Sequence, residues 1–296
     1  MKVYYDHQIF SLQRFGGVSK YFSELIDFYA SRRCLDVQVG GRFYICEHLS
    51  GHKGKIRIPK FRGDRRLCAY LNDCFEMGIA ADLLHSTYYS PKYLQIGGKT
   101  RRVITIHDMI PEKYPEFFSS NPHKAKRAYV DVADRIICVS ESTKNDLLKY
   151  FKVSEQKIDV IHHGVDFEHT RNDISAVAVP KNYVVYVGRR DGYKNFEVLL
   201  RAMKQLWDTG SDLSLVCVGG GRFTEHEIES VRHQSSKIFQ ISANDKQVRY
   251  IIKMAVVLVM TLPLSLPNWG VTGRSSFLGR RRGNPGGIFG LVVFAP

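Results

Sequence analysis

The chain has 296 residues, 44% apolar and 24% charged, with a formal net charge of +14. That length suits two domains with hydrophobic cores of their own, and that composition excludes a disordered or collagen-like chain. The charge is lopsided: past Asp245 there is no Asp or Glu, while Lys246, Arg249, Lys253, Arg274, Arg280, Arg281 and Arg282 supply seven of the fourteen excess positive charges, so net charge alone is a weak argument for nucleic acid, and peripheral contact with an anionic membrane or with phosphorylated substrates is the expectation instead.

The opening MKVYYDHQIF has no long apolar run before a small-residue cleavage site, which predicts no signal peptide. KVYYD reads as a first strand. GGVSKYFSELIDFYASRR follows as a helix, with Val18, Tyr21, Phe22, Leu25, Ile26 and Tyr29 on one face. DVQVGG, KIRIP, DLLHS, RVITIHD, RIICVS and KIDVIHHG are further strand candidates, and SESTKNDLLKYF is a helix opened by a capping hydroxyl. Strands alternating with helices predict one doubly wound sheet over residues 1–168. FEHTRNDISAVAVPKN then reads as a linker, assigned to residues 169–182. A second series starts with YVVYVG. The helix of residues 195–207 follows, with Phe196, Leu199, Leu200, Met203 and Leu206 facing inward. LSLVCVGGG, KIFQIS and VVLVM are strands, and TEHEIESVRHQ and DKQVRYIIKMA are helices. The predicted fold is α/β, with two facing Rossmann-like domains and the site in the cleft between them. The second domain, residues 183–260, is read as incomplete.

Beyond Met260 the periodicity is lost and Gly and Pro are dense, so residues 261–296 are read as an aberrant, poorly ordered tail. The uncharged run Met254–Gly273 contains Pro263, Pro267 and Asn268, and its solidly apolar part falls short of the ~20 residues that a spanning helix needs. The six cysteines form no CxxC pair, and Cys138 and Cys217 fall inside apolar strands, which predicts free thiols and a cytoplasmic setting.

Three groups point to chemistry. The strand YVVYV runs into Gly188, Arg189 and then Lys194 at the start of the next helix. Two cations and a helix N-terminus beyond a strand end suit a diphosphate; a solvated basic loop paired with Asp191 is the alternative. Gly16 and Gly17 lie between the first strand and its helix, where backbone N–H groups can approach a phosphate, or where the chain simply turns tightly. The pattern is not GxGxxG and no ribose-binding acid follows, which argues against a nicotinamide cofactor. His107 and Asp108 end an apolar strand: the imidazole can hydrogen-bond a sugar or phosphate oxygen, with Asp108 biasing its protonation, or be a satisfied structural His. His162 and His163 have no third ligand near in sequence, so no metal site is expected. Gly220, in GGG at 219–221, is read as a turn bordering the cleft.

YYDHQIFSLQRFGGVSKYF, VITIHDMIPEKYPEFF, DRIICVSESTKNDLLKYF, VIHHGVDF and YVVYVGRRDGYKNFEVLLRAM stand in this order over residues 1–259. Together they resemble family 4 retaining glycosyltransferases of the GT-B fold. The resemblance implies that Arg189 and Lys194, matching GRxxxxK, grip the donor diphosphate. It lays Gly16 and Gly17 along the phosphates and places His107 against the transferred sugar. Ser140 matches a serine opening a helix near the cleft, with no role carried over. It further implies a nucleotide-sugar donor, no cofactor or divalent ion, and a glycan or lipid-linked acceptor. The setting it suggests is bacterial surface polysaccharide synthesis at the inner face of the cytoplasmic membrane.

The resemblance fails at the end. The family continues past the strand AVVLV with two glutamates, for the donor sugar and the nucleotide ribose. This chain reads MTLPLSLPNWGVTGRSSFLGRRRGNPGG instead. A tail read out of frame is the expectation. It carries an alternative function: a catalytically dead remnant of such an enzyme.

Overall fold

The computed structural model describes residues 1–32, 35–49, 54–75, 80–95, 99–164, 177–190, 192–261, 276–278 and 291–294. The chain divides into two compact units, Met1–Gly164 and Val165–Pro296.

In unit one the strands are β1 (Lys2–Tyr5), β2 (Asp36–Val39), β3 (Phe43–Tyr44), β4 (Ile56–Arg57), β5 (Leu83–Ser86), β6 (Arg101–Ile106), β7 (Arg135–Cys138) and β8 (Ile158–Val160). The helices are α1 (Gln8–Leu12), α2 (Gly17–Arg32), α3 (Asp64–Phe75), α4 (Ile110–Lys113), α5 (Lys126–Val132) and α6 (Glu141–Tyr150). Six strands form one parallel sheet in the order β2-β1-β5-β6-β7-β8. The order reverses between β1 and β5, the place where open α/β sheets leave a crevice beyond their carboxyl ends. The predicted strand KIRIP is only two residues long. It pairs with β3 in a separate ladder, so it lies outside the main sheet. The α2 stripe is also rotated from its predicted centre: Ser19, Phe22, Ser23 and Ile26 are buried, and Tyr21 and Leu25 pack at its margin. The sequence reading did not identify α1, α3, α4 or α5.

Unit two contains β9 (Tyr183–Val187), α7 (Phe196–Asp208), β10 (Ser214–Val218), α8 (Glu225–Ser230), β11 (Ile238–Ile241), α9 (Asp245–Met254), β12 (Val257–Thr261), β13 (Ser276–Leu278) and β14 (Leu291–Phe294). Its sheet has the order β11-β10-β9-β12-β14-β13, parallel except for β13. The run YVVYV is apolar throughout because both faces of β9 are covered. Val184 and Tyr186 join the cluster built on α7, while Tyr183 and Val185 join the one built on Ile251 of α9. Val177 and Val179, within the predicted linker, pack against that second cluster; linker residues 169–176 lie outside the described residues. The helix TEHEIESVRHQ stops at Ser230 and continues as a kinked 3-10 stretch from Arg232. After Met260, where the sequence has no strand rhythm, β14 pairs with β12 and β13 with β14.

On α7 the predicted inward face is corrected at its last position. Leu206 is 42% exposed, while its neighbour Trp207 is 5% exposed and donates from Nε1 to the Leu213 carbonyl at 2.6 Å. Trp207→Ala should therefore cost about 3–5 kcal/mol of stability. Leu206→Ala should cost no more than about 0.5 kcal/mol. Urea unfolding followed by circular dichroism measures both.

Candidate functional site

At the carboxyl edge of the first sheet, each strand hands over to a polar residue. Asp6 follows β1. Its buried carboxylate accepts from Gln8 N (3.1 Å), Gln8 Nε2 (2.9 Å), Thr87 N (3.1 Å) and Thr87 Oγ1 (2.5 Å). Burial pushes its pKa up to about 7, against the pull of those donors. The carboxylate ties the ends of β1 and β5 together at the crevice.

One strand further along, His107 follows β6. Tyr21 and Phe22 of α2 meet its ring edge-on, with centroids at 5.1 and 6.1 Å, and His163 stacks on it at 5.7 Å. Its Nε2 is buried with no hydrogen-bond partner among the described residues. Burial, then the neighbouring His163, lowers its pKa to about 4; the Asp108 charge pulls the other way and is outweighed. The ring is a neutral imidazole near neutral pH. The Asp108 carboxylate accepts the Ile110 N–H at 3.1 Å, which pins the start of α4. Behind it stands Lys126, fully buried, donating to Glu112 Oε2 at 2.8 Å and to the Asp108 carbonyl at 3.0 Å. A buried cation needs such a partner, and here the pair fixes the loop carrying His107 and Asp108. His85 lies deeper, its Nε2 at 2.9 Å from Thr105 Oγ1, and burial lowers its pKa to about 3.

The two glycines at this edge differ. A Cβ on Gly16 would fall 2.2 Å from Gln13 Oε1, because the Gln13 side chain lies across the turn and accepts the Ser19 N–H at 3.3 Å. A side chain at Gly16 would displace the end of the Gln13 side chain from this turn. Gly17 opens a 16-residue helix, and a Cβ there would meet nothing within 4 Å, so its backbone is open to approach. Ser140 accepts the Thr143 N–H at 3.1 Å and caps α6. A second imidazole, His123, lies against Tyr88 and Tyr89. Its Nε2 is 3.0 Å from the Tyr88 hydroxyl and its buried Nδ1 has no partner among the described residues. Burial, then the Lys126 charge, lowers its pKa to about 4.

In unit two, Gly188 follows β9 with φ +126°. Arg189 is exposed, and its carbonyl accepts the Tyr186 hydroxyl at 2.6 Å. Lys194 ends a 3-10 turn, with Nζ 5.2 Å from the centre of the Tyr193 ring. The next residue, Asn195, takes the left-handed conformation at φ +46° and leads into α7.

Arg190, which the sequence reading passed over, is only 8% exposed. It donates to the carbonyls of Gly219 (3.1 Å), Gly221 (3.0 Å) and Arg222 (2.8 Å), and its Nε donates to Glu227 Oε1 at 2.8 Å. Phe223 lies 4.4 Å beneath the guanidinium. Burial opposes the Glu227 charge, but the bonds from Arg190 and Thr224 prevail and lower its pKa. This network holds Gly219, Gly220 and Gly221 at φ +80°, +74° and +79°. Gly220 is the tightest of them: a Cβ would lie 2.7 Å from Arg190 Nη1 and 2.8 Å from the Gly188 carbonyl.

The structure thus gathers Gly16, Gly17, His107 and Asp108 at one edge of unit one, with Ser140 capping a helix of the same unit. Gly188, Arg189, Lys194 and Gly220 lie in the loops after β9 and β10 of unit two. The sequence reading missed Asp6, His85, Lys126, His123 and Arg190. For Lys126 and Glu112 no local spacing could have shown the pairing; for Arg190 the doubled arginine after a strand was a signal left unused. Among the described residues no group of three His, Cys, Asp or Glu side chains is placed to hold a metal ion, and no helix is long and apolar enough to cross a membrane.

Two sequence-family models match the chain in tandem: Glycosyltransferase Family 4 over residues 15–169 and Glycosyl transferases group 1 over residues 169–266. Among curated proteins, the chain is 25% identical over 124 residues to an N-acetylgalactosamine-N,N'-diacetylbacillosaminyl-diphospho-undecaprenol 4-alpha-N-acetylgalactosaminyltransferase of Campylobacter jejuni, covering 41% of this chain and 33% of that protein. It is 26% identical over 118 residues to the O-antigen chain mannosyltransferase RfbU of Salmonella typhimurium, covering 39% and 32%. The matches thus span about a third of each relative's length. Among solved structures, WaaG, a glycosyltransferase involved in lipopolysaccharide biosynthesis, superposes with a TM-score of 0.58 at 14% identity, over 88% of this chain and 75% of that one. The lipopolysaccharide outer core galactosyltransferase WaaB gives 0.53 at 15% identity, over 88% and 74%. The fold is that of GT-B glycosyltransferases.

Two measurements check this geometry. The rings of His107 and His123 should stay neutral down to about pH 4 in an NMR titration. With folded-state pKa values below the usual ~6.5, these rings bind fewer protons folded than unfolded, so they stabilise the fold fully above about 6.5 and lose that contribution as pH falls towards 4. Gly220→Ala should destabilise unit two by more than Gly221→Ala, which shares the left-handed φ but would put its Cβ in open space. Urea unfolding ranks the two.

Proposed function

The chain belongs to glycosyltransferase family 4, and we propose that it moves a hexose from a nucleotide-diphosphate donor to a glycan or lipid-linked acceptor, with retention at the anomeric carbon. The observation that carries the reading is His107: a neutral imidazole at a strand end, packed against Tyr21 and Phe22 of α2, whose buried Nε2 has no partner among the described residues. A neutral ring can hydrogen-bond a sugar hydroxyl, whereas an imidazolium would compete with the cations for the diphosphate. In this reading His107 orients the transferred sugar. The Gly17 end of α2 favours a phosphate through the helix dipole and the open backbone at Gly17. Arg189 and Lys194 hold the leaving diphosphate, and stabilising that developing charge replaces a divalent metal. Asp108 and the Lys126–Glu112 pair act by positioning the His107 loop. The relatives' names, a diphospho-undecaprenol-linked acceptor in one and O-antigen in the other, support an acceptor in bacterial surface polysaccharide synthesis.

A second reading is favoured by one observation: no carboxylate occurs after Asp245, where the family resemblance calls for two. On that reading the chain is a remnant that folds but does not transfer. Purified protein given a panel of nucleotide sugars separates the two. Release of nucleoside diphosphate supports transfer; a folded chain releasing none supports the remnant. If transfer occurs, Arg189→Ala and Lys194→Ala should each lower kcat/KM about tenfold to a hundredfold, the loss of a charge-assisted bond of roughly 1.5–3 kcal/mol.

A further inference from the structure

The pair of histidines near the end of unit one has been given no task so far. Past β8 the chain runs on along the end of β7: Ile161 donates its N–H to the Cys138 carbonyl at 2.9 Å, and His162 Nδ1 lies 3.2 Å from the Val139 carbonyl oxygen. β6 and β8 both pair with β7, so the next ring, His163, comes from the far side of that strand to meet His107. The two imidazoles stack at 5.7 Å with their planes 17° apart. Tyr21 meets both edge-on, its ring centre 5.1 Å from each and its plane 82° from His107 and 67° from His163. The three rings form a closed triangle.

Two of the rings around His107 are fixed from behind. The Tyr21 hydroxyl lies 3.3 Å from Thr105 Oγ1, which lies 2.9 Å from the buried His85 Nε2. Phe22 is 1% exposed in the core of unit one. His163 is the exposed member. It is also the one of the three whose plane lies nearly parallel to the His107 ring, so turning His107 about its bond would break that stack. The two nitrogens of an imidazole are distinct, and the plane of the ring decides where the Nε2 of His107 points.

We propose that His163 is a positioning residue for sugar transfer: it holds the His107 imidazole in one plane and keeps water from one of its faces. The inference rests on the sugar-binding role of His107 proposed above. The titratable and charged groups around that ring are His163, Asp108 beside it, His123 and Lys126 at α5, Tyr21 on α2, and His85 on β5. Removing the His163 side chain admits water to the ring and takes away one like charge. Both changes favour the imidazolium, so the midpoint of His107 should rise.

The test has two arms, both on the full chain. The first is an NMR titration of the imidazole signals, assigned by substitution. In H163A the His107 midpoint should rise by about one pH unit from its value of about 4. H163F, which puts a flat ring back over the same face, should stay nearer to the parent than H163A does. H162A, which removes a ring directed at the Val139 carbonyl, should leave the His107 midpoint where it is. Circular dichroism confirms that each variant is folded. The second arm is release of nucleoside diphosphate from the nucleotide sugar that the panel selects. H163A should lower kcat about tenfold, and the acid limb of its pH profile should move up with the midpoint; H163F should recover most of the rate. A parent that releases no nucleoside diphosphate refutes the proposed function, and the titration then decides alone whether His163 holds His107. The inference is overturned if His107 titrates in H163A as in the parent. It also fails if H162A or H163F shifts the midpoint as far as H163A, or if H163A transfers at the parent's rate across the pH range.

Discussion

Parallel strand pairing is the constraint on which both units depend. It sends every main strand of unit one towards the same edge, so the residues that follow them, Asp6, Thr87, His107 and Ser140, meet there although they are far apart in sequence. The helices that cover the sheet withdraw water from that edge. The imidazoles of His85 and His107 are therefore held neutral mainly by desolvation, and the pull of the Asp108 charge on His107 is overridden. The Asp6 carboxylate meets the same loss of water with four donors, and so becomes a fastening between two strands.

Unit two applies the same topology to opposite ends. Arg189 and Arg190 are adjacent and chemically identical, yet one is exposed and the other is enclosed by three carbonyls, a carboxylate and a phenyl ring. The difference follows from the backbone leaving β9 through Gly188. The buried guanidinium supplies the donors that the three carbonyls require, so a loop of consecutive glycines keeps one shape without side chains of its own.

Most of the framework could be read from the residues. YVVYV and RIICVS announced buried parallel strands through unbroken apolar runs, and the ordered motifs resembling family 4 glycosyltransferases agreed with the family and fold found here. Where the reading failed, long-range packing decided. KIRIP has strand composition but pairs through two residues in a side ladder, and Leu206 lost the inward position to Trp207 because the indole found a carbonyl at Leu213. α3 was missed because its outer face mixes Arg, Leu and Tyr, which blurs a period that the inner Cys68 and Asn72 would have marked. The Lys126–Glu112 and Arg190–Glu227 pairs join residues 14 and 37 positions apart, and no local pattern encodes such a match.

The Arg190–Glu227 bond also makes two pieces of secondary structure mechanically one. Glu227 is the third residue of α8 and closes that helix's capping box with Thr224, while its partner guanidinium clasps the glycine loop after β10. The same guanidinium thus bonds both the front of α8 and the glycine loop, so displacing either one breaks hydrogen bonds held in common.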